Sequence, residues 1–261
     1  TRDVYPGGAH DNDMCMTVKA GNRIFLRGQT GLDLDQRMVD SNDAAAQADQ
    51  PMENAKVLLE EAGSSLDHVC KVTTYLTDPA YRTGVYNTVG RHLRGNPTVA
   101  TGLIVKGLAM PEMKVEIDLE AVIPGPDGHK KFRFLNTRDW FGQTSINRDS
   151  CMVINTGDEI YLRGQTGSSL DGEFVGNGDA GAQADQAMKN ITTLLEEAGA
   201  SLDDVCKVSI YVLHRAHREA VYQAVGRHLK GVHPCGTGLV VDGFANPQIL
   251  VEIDVDAVIQ S

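Results

Sequence analysis

The chain has 261 residues, of which 41% are hydrophobic and 23% charged, and its formal net charge is −11. This composition is typical of a soluble globular protein, and the absence of a basic excess argues against a nucleic-acid partner. Because no apolar run approaches the roughly 18 residues that span a bilayer and no secretion signal follows Thr1, we expect a cytoplasmic protein with no membrane partner.

In the first half, β-rich segments at 14–19 and 23–29 flank Gly21-Asn22, which predicts a hairpin. Residues 44–62 place apolar side chains at helical spacing, and Gly63 predicts the end of that helix. Because a proline inside a helix is unfavourable, Pro51 predicts a kink or a missing first turn.

A strand at 68–77, a helix at 80–93 and strands at 101–106 and 114–122 complete the first half. The order β-β-α-β-α-β-β leaves the helices one face of a sheet to cover, which predicts a two-layer α+β domain. Because each β-α-β passage favours a parallel neighbour, we expect a mixed sheet.

The second half repeats the first with a period of 136 residues. The sequence RGQTG at 27–31 recurs at 163–167, and GRHL at 90–93 recurs at 226–229. About half of the paired positions are identical, which indicates gene duplication. We therefore predict two domains, at 1–125 and 126–261, with a Pro- and Gly-rich connector at 124–131.

The combined motifs resemble the Rid family, also called YjgF or endoribonuclease L-PSP. The resemblance depends on GQ at 28–29, GSSLDHVCKV at 63–72, TGLIV at 101–105 and VEI at 115–117. The second copy repeats these motifs at 164–165, 199–208, 237–241 and 251–253. The resemblance therefore covers nearly the whole chain, twice.

This resemblance implies a chorismate-mutase-like fold and trimers of domains, whose sheets line a barrel and whose clefts lie between neighbouring domains. Typical members hydrolyse imines and enamines to a ketoacid and ammonia, without a metal or cofactor. Since one chain supplies two domains, three chains would supply the six domains of two stacked rings. We therefore expect a homotrimer or a multiple of three chains.

Matching residues to the family's motifs gives the main site predictions. Glu116 and Glu252 match the glutamate that orients the attacking water, and the backbone of Gly28 and Gly164 matches the group that contacts the substrate. The arginine that grips the substrate carboxylate falls at positions occupied here by Ala100 and Gly236.

Other paired residues could complete the site. Arg27 and Arg163 could bind an anion and replace the missing arginine, or form ion pairs with the acidic strands. Thr101 and Thr237 could bind substrate or the backbone.

Two further pairs have both a chemical and a structural interpretation. Cys15 and Cys151 could be nucleophiles, although small buried side chains are the simpler interpretation. His92 and His228 could be bases, although a packed ring near a helix C-terminus is favoured. The five cysteines and eight histidines do not have metal-ligand spacing.

We predict a small-molecule hydrolase or deaminase that acts on an imine, an enamine or a related C–N bond. One alternative is a metabolite-binding or regulatory protein, since the carboxylate-gripping arginine is missing. Another is a chaperone-like, ribonucleolytic or translation-inhibiting role.

Overall fold

Residues 14–39, 42–136, 146 and 148–259 are described by a computed structural model of the chain. The elements of the first copy are β1 (Thr17–Ala20), β2 (Arg23–Leu26), β3 (Gln29–Thr30), α1 (Ala44–Glu61), β4 (Val69–Leu76), α2 (Arg82–His92), β5 (Val99–Ile104) and β6 (Val115–Val122). The elements of the second copy are β7 (Lys130–Asn136), β8 (Asp149–Asn155), β9 (Glu159–Leu162), α3 (Ala180–Glu197), β10 (Val205–Val212), α4 (Arg218–His228), β11 (Cys235–Val240) and β12 (Val251–Val258).

Each copy forms one mixed sheet, as predicted. The first sheet has the order β1-β2-β6-β4-β5, with β3 also pairing with β6, and the second has the order β11-β10-β12-β9-β8-β7. In each copy the strand pair that encloses the second helix, β4 with β5 and β10 with β11, is parallel. The α+β prediction is therefore confirmed for both halves.

The helices begin and end where local sequence favours it. The carboxylate of Asp43 accepts hydrogen bonds from two backbone N–H groups at the start of α1, and Gly63 follows its end with a φ of 76°. Pro51 lies within α1, yet α1 and α3 both have 18 residues. The first turn of α1 is present, so the predicted alternative of a missing first turn is wrong. None of the helices in the described ranges is long and apolar enough to cross a membrane.

The predicted connector is shorter than expected, because β7 begins at Lys130 and pairs antiparallel with β8. Residues 130–131 therefore belong to the second sheet. The alternation of Phe132 and Phe134 with Lys131 and Arg133 is typical of a strand, and this signal was hidden by the glycines and prolines just before it.

Apolar and acidic side chains alternate along β6 and β12, so the apolar ones face the hydrophobic core and the acidic ones face the opposite side of each sheet. Val115, Ile117 and Leu119 pack under the helices of the first copy and are at most 1% exposed. The acidic side chains between them face away from the helices. Those faces of the two sheets line a shared polar cavity of about 230 Å³ that includes Asp118 and Asp254.

The two copies pack directly against each other, with β5 next to β8. The backbone N–H of Cys151 donates to the carbonyl of Thr98 at 3.2 Å, and that of Ile104 donates to Gly243 at 2.9 Å. Cys70, Val99, Val122, Cys151, Ile154 and Tyr161 form an apolar cluster across this contact. The interface therefore combines backbone hydrogen bonds with buried apolar surface.

The counterparts of the surfaces that meet between the two copies are exposed at the opposite edge of each sheet. β5 is largely covered by the second copy, whereas every residue of its counterpart β11 is exposed. Conversely, Ile154 and Tyr161 are buried in the second copy, whereas their counterparts Val18 and Phe25 are 48% and 40% exposed. Among the described residues, each copy thus has one edge covered by the other copy and one edge with exposed side chains.

Candidate active site between the two copies

A cavity of about 130 Å³ lies at the contact between the copies. The first copy contributes β5 and α2, and the second contributes residues of β8, β12 and the segment after β9. The lining residues used below are Arg82, Tyr86, Ala100, Thr101 and Gly102 from the first copy, and Arg148, Ser150, Arg163, Gly164, Gln165 and Glu252 from the second.

Glu252 is the only carboxylate among the described residues that line this cavity, and it is only 6% exposed. Burial, followed by the nearby charge of Asp254, raises its pKa to about 8, although Arg163, Lys71 and Arg82 oppose the rise. A carboxyl group with a pKa near neutrality can both accept and return a proton under physiological conditions.

The Glu252 carboxylate lies directly against Gly164, where a side chain would displace it. A Cβ atom at Gly164 would lie 2.1 Å from Oε1 of Glu252 and 2.8 Å from Oδ1 of Asp254. The requirement for glycine is therefore steric. The backbone N–H of Gly164 donates to the carbonyl of Ala100 at 3.3 Å, so this predicted substrate contact makes a long hydrogen bond across the interface.

Two arginines enter the cavity from the second copy. Arg163 is partly buried, and its Nη1 lies 3.4 Å from Oγ of Ser150; Gln165 fixes its backbone by donating from Nε2 to the Arg163 carbonyl at 2.7 Å. Arg148 is 7% exposed, and its Nη2 donates to Oγ1 of Thr98 at 2.8 Å.

A third arginine comes from α2 of the first copy. Nη1 of Arg82 donates to the carbonyl of Ala245, and its guanidinium lies 5.1 Å from the centre of the Tyr86 ring. The Tyr86 hydroxyl in turn lies over Gly102, where a Cβ atom would be 2.1 Å away. Gly102 therefore makes room for Tyr86 and not only for a ligand.

The three guanidinium groups influence one another. Burial, together with the charge of Arg163, lowers the pKa of Arg148 to about 10. Burial also lowers the pKa of Arg163, and Arg82 adds to that effect while Glu252 opposes it. Arg148 nevertheless stays protonated at neutral pH, since even its lowered pKa is well above 7.

Thr101 lines the cavity, but its hydroxyl is used at the interface. Its Oγ1 donates to Asp254 at 2.7 Å, and Nζ of Lys71 lies 3.1 Å from the same carboxylate. Asp254 in the second copy thus binds two groups of the first copy. This arrangement favours a structural role for the Thr101 hydroxyl.

The other set of predicted residues is divided between a carboxylate beside Gly28 and the exposed strand β11. Gly28 repeats the geometry of Gly164, because a Cβ atom there would lie 2.1 Å from Oε1 of Glu116. Burial, followed by the charge of Asp118, raises the pKa of Glu116, and the charge of Arg27 opposes the rise. Thr237, however, lies on the exposed strand β11. Glu116, Arg27 and Gly28 therefore form a half-site.

The remaining predicted residues lie outside the cavity lining. Cys151 is fully buried, and burial raises the pKa of its thiol to about 12; Cys15 donates from Sγ to the Thr17 carbonyl at 3.5 Å. His92 Nε2 lies 2.8 Å from Oδ1 of Asp49, which links α2 to α1.

His228 and Asp185 make the same contact between α4 and α3, at 2.9 Å. These placements favour the structural alternatives for both pairs.

Sequence reasoning missed Arg82, Tyr86 and Arg148. Arg82 and Tyr86 recur as Arg218 and Tyr222, so the duplication contained a signal for them. The counterpart of Arg148 is Asn12, so comparison of the two copies could not have found it.

Comparison with known proteins decides the family. The sequence model of the family described as endoribonuclease L-PSP matches residues 13–123 and again residues 144–259. This chain belongs to the Rid/YjgF family. The resemblance deduced from the motifs is therefore confirmed, and the chain contains two Rid domains in tandem.

Several Rid relatives match part of the chain. Protein DfrA of Myxococcus xanthus is 34% identical over 120 residues, which are 46% of this chain and 91% of that protein. A 2-iminobutanoate/2-iminopropanoate deaminase of Dermatophagoides farinae is 32% identical over 60 residues, which are 23% of this chain and 47% of the deaminase.

One solved structure resembles both Rid domains together. It is a chorismatase that superimposes with a TM-score of 0.70 at 15% identity, covering 92% of this chain and 78% of the chorismatase chain. At that identity the likeness shows the fold alone.

Proposed function

We propose that the cavity between the two copies hydrolyses the C=N bond of a small imine, or of the imine that forms from an enamine. The main support is Glu252, a buried carboxyl group with a pKa near neutrality, held over Gly164 in a cavity that also contains arginines. The family, which includes a protein named as an imine deaminase, supports the same class of reaction.

The proposed reaction is an addition followed by an elimination. Glu252 takes a proton from water while the water oxygen bonds to the imine carbon, and the C=N electron pair moves to nitrogen, which takes up a proton. The proton on Glu252 then returns to that nitrogen and the C–N bond breaks. Ammonia leaves as the hydroxyl group of the intermediate gives its proton to solvent and the C=O bond forms, and this proton balances the one that the nitrogen took up from solvent. One water is consumed for each carbonyl compound and ammonia released, so no oxidant or reductant is needed.

In this proposal the arginine that binds the substrate carboxylate lies on a different wall of the cavity from the arginine of typical relatives. Ala100 lines the cavity at the position where the family's arginine would stand. Arg163 lies in the same cavity and has the planar, two-pronged geometry that suits a carboxylate. We propose that Arg163 replaces the missing arginine.

The test uses unstable 2-imino acids generated in the assay by an amino-acid oxidase, with imine loss followed by semicarbazide trapping. We expect the purified chain to accelerate the loss, and Glu252→Gln to reduce kcat/KM by at least about 100-fold. Glu116→Gln is the matched variant in the half-site. Unchanged activity in the Glu252→Gln, Glu116→Gln double variant would refute the role of both carboxylates. Saturable binding of 2-keto acids without any turnover would favour the metabolite-binding alternative.

We also propose that the half-site at Glu116 is completed by another chain. Asp254 binds Lys71 and Thr101, and the counterparts of these two residues, Lys207 and Thr237, are exposed in the second copy. The open edge at β11 could therefore join the open edge at β1 and β2 of another chain, as β5 joins β8 within one chain.

The number of chains stays a prediction, and we expect three. Because both copies of one chain are direct neighbours, two separate rings of three domains would split one of the three pairs. Head-to-tail association of the open edges keeps each pair intact, and it is the arrangement we propose in place of the two stacked rings.

A further inference from the structure

The contact between the two copies indicates which residues would meet if the open edges of two chains joined. Thr98 and Ser150 form a parallel bridge, and the backbone N–H of Cys151 donates to the Thr98 carbonyl at 3.2 Å. In this register Val99 lies opposite Cys151, one residue further along each strand. Both side chains belong to the apolar cluster that is buried between the copies. Val99 and Cys151 are therefore neighbours across the contact.

At the open edges, both of these positions are cysteines. The counterpart of Val99 is Cys235 at the start of β11, and the counterpart of Cys151 is Cys15, which precedes β1. Cys235 is exposed and Cys15 is partly exposed, whereas Cys151 is fully buried. The contact within the chain thus has one thiol at this point, and the same contact between two chains would have two.

The backbone at both open edges matches that of the internal contact. The N–H of Arg27 donates to the carbonyl of Met16, next to Cys15, at 2.9 Å, and the corresponding hydrogen bond of the second copy has the same length. The pairing of β11 with β10 repeats that of β5 with β4 at every position. The two edges therefore have the geometry needed to repeat the internal contact between two chains.

Cysteines at opposite positions on neighbouring strands meet the distance requirement of a disulfide. The strand spacing of about 5 Å lies within the range of about 4.4–6.8 Å between the Cα atoms of bonded cysteines. Cys206 is also exposed, but Lys207 and not Cys206 lies opposite Cys235 on β10. The register therefore favours Cys15 of another chain over Cys206 of the same chain as the partner of Cys235.

We propose that Cys15 and Cys235 of adjacent chains form a disulfide that locks the association covalently. With hydrogen peroxide as the oxidant, one thiol takes an oxygen atom and becomes a sulfenic acid as water leaves. The second thiol attacks that sulfur and releases another water. Two thiols and one peroxide thus give one disulfide and two waters. The proposal rests on the association of the open edges proposed above and not on imine hydrolysis.

The disulfide would also hold the second wall of the half-site at Glu116. Thr237 lies two residues after Cys235 on β11, and its counterpart Thr101 lines the closed cavity. A covalent bond at Cys235 would therefore fix this strand against the first copy of the neighbouring chain.

Peroxide treatment of the purified chain, followed by denaturing electrophoresis without reductant, tests the proposal. We expect covalent species of two and three chains that a thiol reductant returns to 28.2 kDa. Mass spectrometry of tryptic peptides should identify a link between Cys15 and Cys235. A link between Cys206 and Cys235 instead would overturn the assignment.

Variants identify the bonded pair. Cys235→Val introduces the residue found at the internal contact, so it should preserve association while reducing the yield of covalent species at least about tenfold. Cys206→Ser is the matched control, an exposed cysteine outside the pair, and should cross-link like wild type. Cross-linking that survives in Cys235→Val would show that other thiols react.

The outcomes separate this inference from the earlier proposals. If light scattering shows an associated chain in which peroxide forms no disulfide, the association stands and the inference is wrong. If the chain stays monomeric at every concentration, the association fails and the disulfide fails with it. Hydrolysis that depends on Glu252 should be unchanged in Cys235→Val, so a wild-type chain that cross-links but hydrolyses no imine refutes only the proposed function.

Discussion

At the scale of single residues, Glu252 sets the expected pH dependence. Its pKa is raised to about 8, and Asp254, Arg163, Lys71 and Arg82 are the charged groups that act on it. A general base must be ionised, so kcat/KM should rise about tenfold per pH unit below 8 and level off above it. Arg163→Gln removes a cation that favours the carboxylate and should move the rise to higher pH.

A pH profile of imine hydrolysis from 6 to 9.5 measures both effects, with Glu252→Gln as the flat baseline. Activity that falls as pH rises through 8 would show that the protonated form reacts, which contradicts the role as a base.

Substitution of Gly164 should also reduce activity, because this residue makes room for the Glu252 carboxylate. Gly164→Ala places a Cβ atom 2.1 Å from Oε1 of Glu252, so the carboxylate must move by about an ångström. A displacement of that size at a reacting group reduces the rate by about 100-fold. Gly28→Ala makes the same change beside Glu116, so steady-state kinetics of both variants show which copy supports turnover. Full activity in Gly164→Ala would mean that the position of Glu252 is not critical.

Part of this site could be predicted from the sequence because its residues are identical in the two copies. Glu252, Arg163, Gly164 and Thr101 all line the cavity. The role of Thr101 was not predictable, because its partner Asp254 lies in the other copy and only the folded chain brings them together. Arg148 differs between the copies, so its contribution required coordinates.

At the scale of elements, paired helices are joined by a histidine and an aspartate. Asp185 on α3 accepts hydrogen bonds from Lys189 and from His228 on α4, and these hydrogen bonds lower its pKa to about 2. Because its folded pKa is depressed, its contribution to stability is present above about pH 4 and is lost as pH falls toward 2.

Asp185→Asn should lower the free energy of unfolding by about 0.5–1 kcal/mol at pH 7, since the pair is near the surface. Urea unfolding at pH 7 and at pH 3 measures the change, which should shrink at the lower pH. Catalysis should be unaffected, and a large loss of kcat/KM in a folded variant would contradict the structural role of His228.

The order of elements was predictable because apolar periodicity and a 136-residue repeat agreed. The errors lie where one local signal conflicted with another. Pro51 suggested a shortened helix, but packing keeps α1 at the length of α3. Strand β7 directly follows a Gly- and Pro-rich stretch, so the composition of the connector masked its alternation.

At the scale of the whole molecule, the contact between the copies decides where a complete cavity forms. No single copy contains both walls, because Glu252 and Arg163 come from one and Arg82 and Tyr86 from the other. The sequence predicted clefts between domains only through the family resemblance. It could not show that two copies of one chain form such a cleft, since that depends on which edges of the sheets meet.

The open edges lead to the last prediction. Leu239 and Val240 on β11 are 52% and 55% exposed, while their counterparts Leu103 and Ile104 are 1% and 5% exposed at the internal contact. Exposed apolar side chains on an open strand edge favour association. Light scattering should therefore give a multiple of 28.2 kDa, with three chains expected.

Leu239→Lys should shift that mass toward 28.2 kDa, because burying an unpaired lysine at the contact is unfavourable. Met110→Lys, on a turn outside the β11 edge, is the control of equal charge. Hydrolysis that depends on Glu252 should survive in the dissociated variant, since its cavity is formed within one chain, whereas any activity from Glu116 should disappear. A wild-type chain that stays at 28.2 kDa at every concentration would leave the half-site at Glu116 without its second wall and would contradict the proposed association.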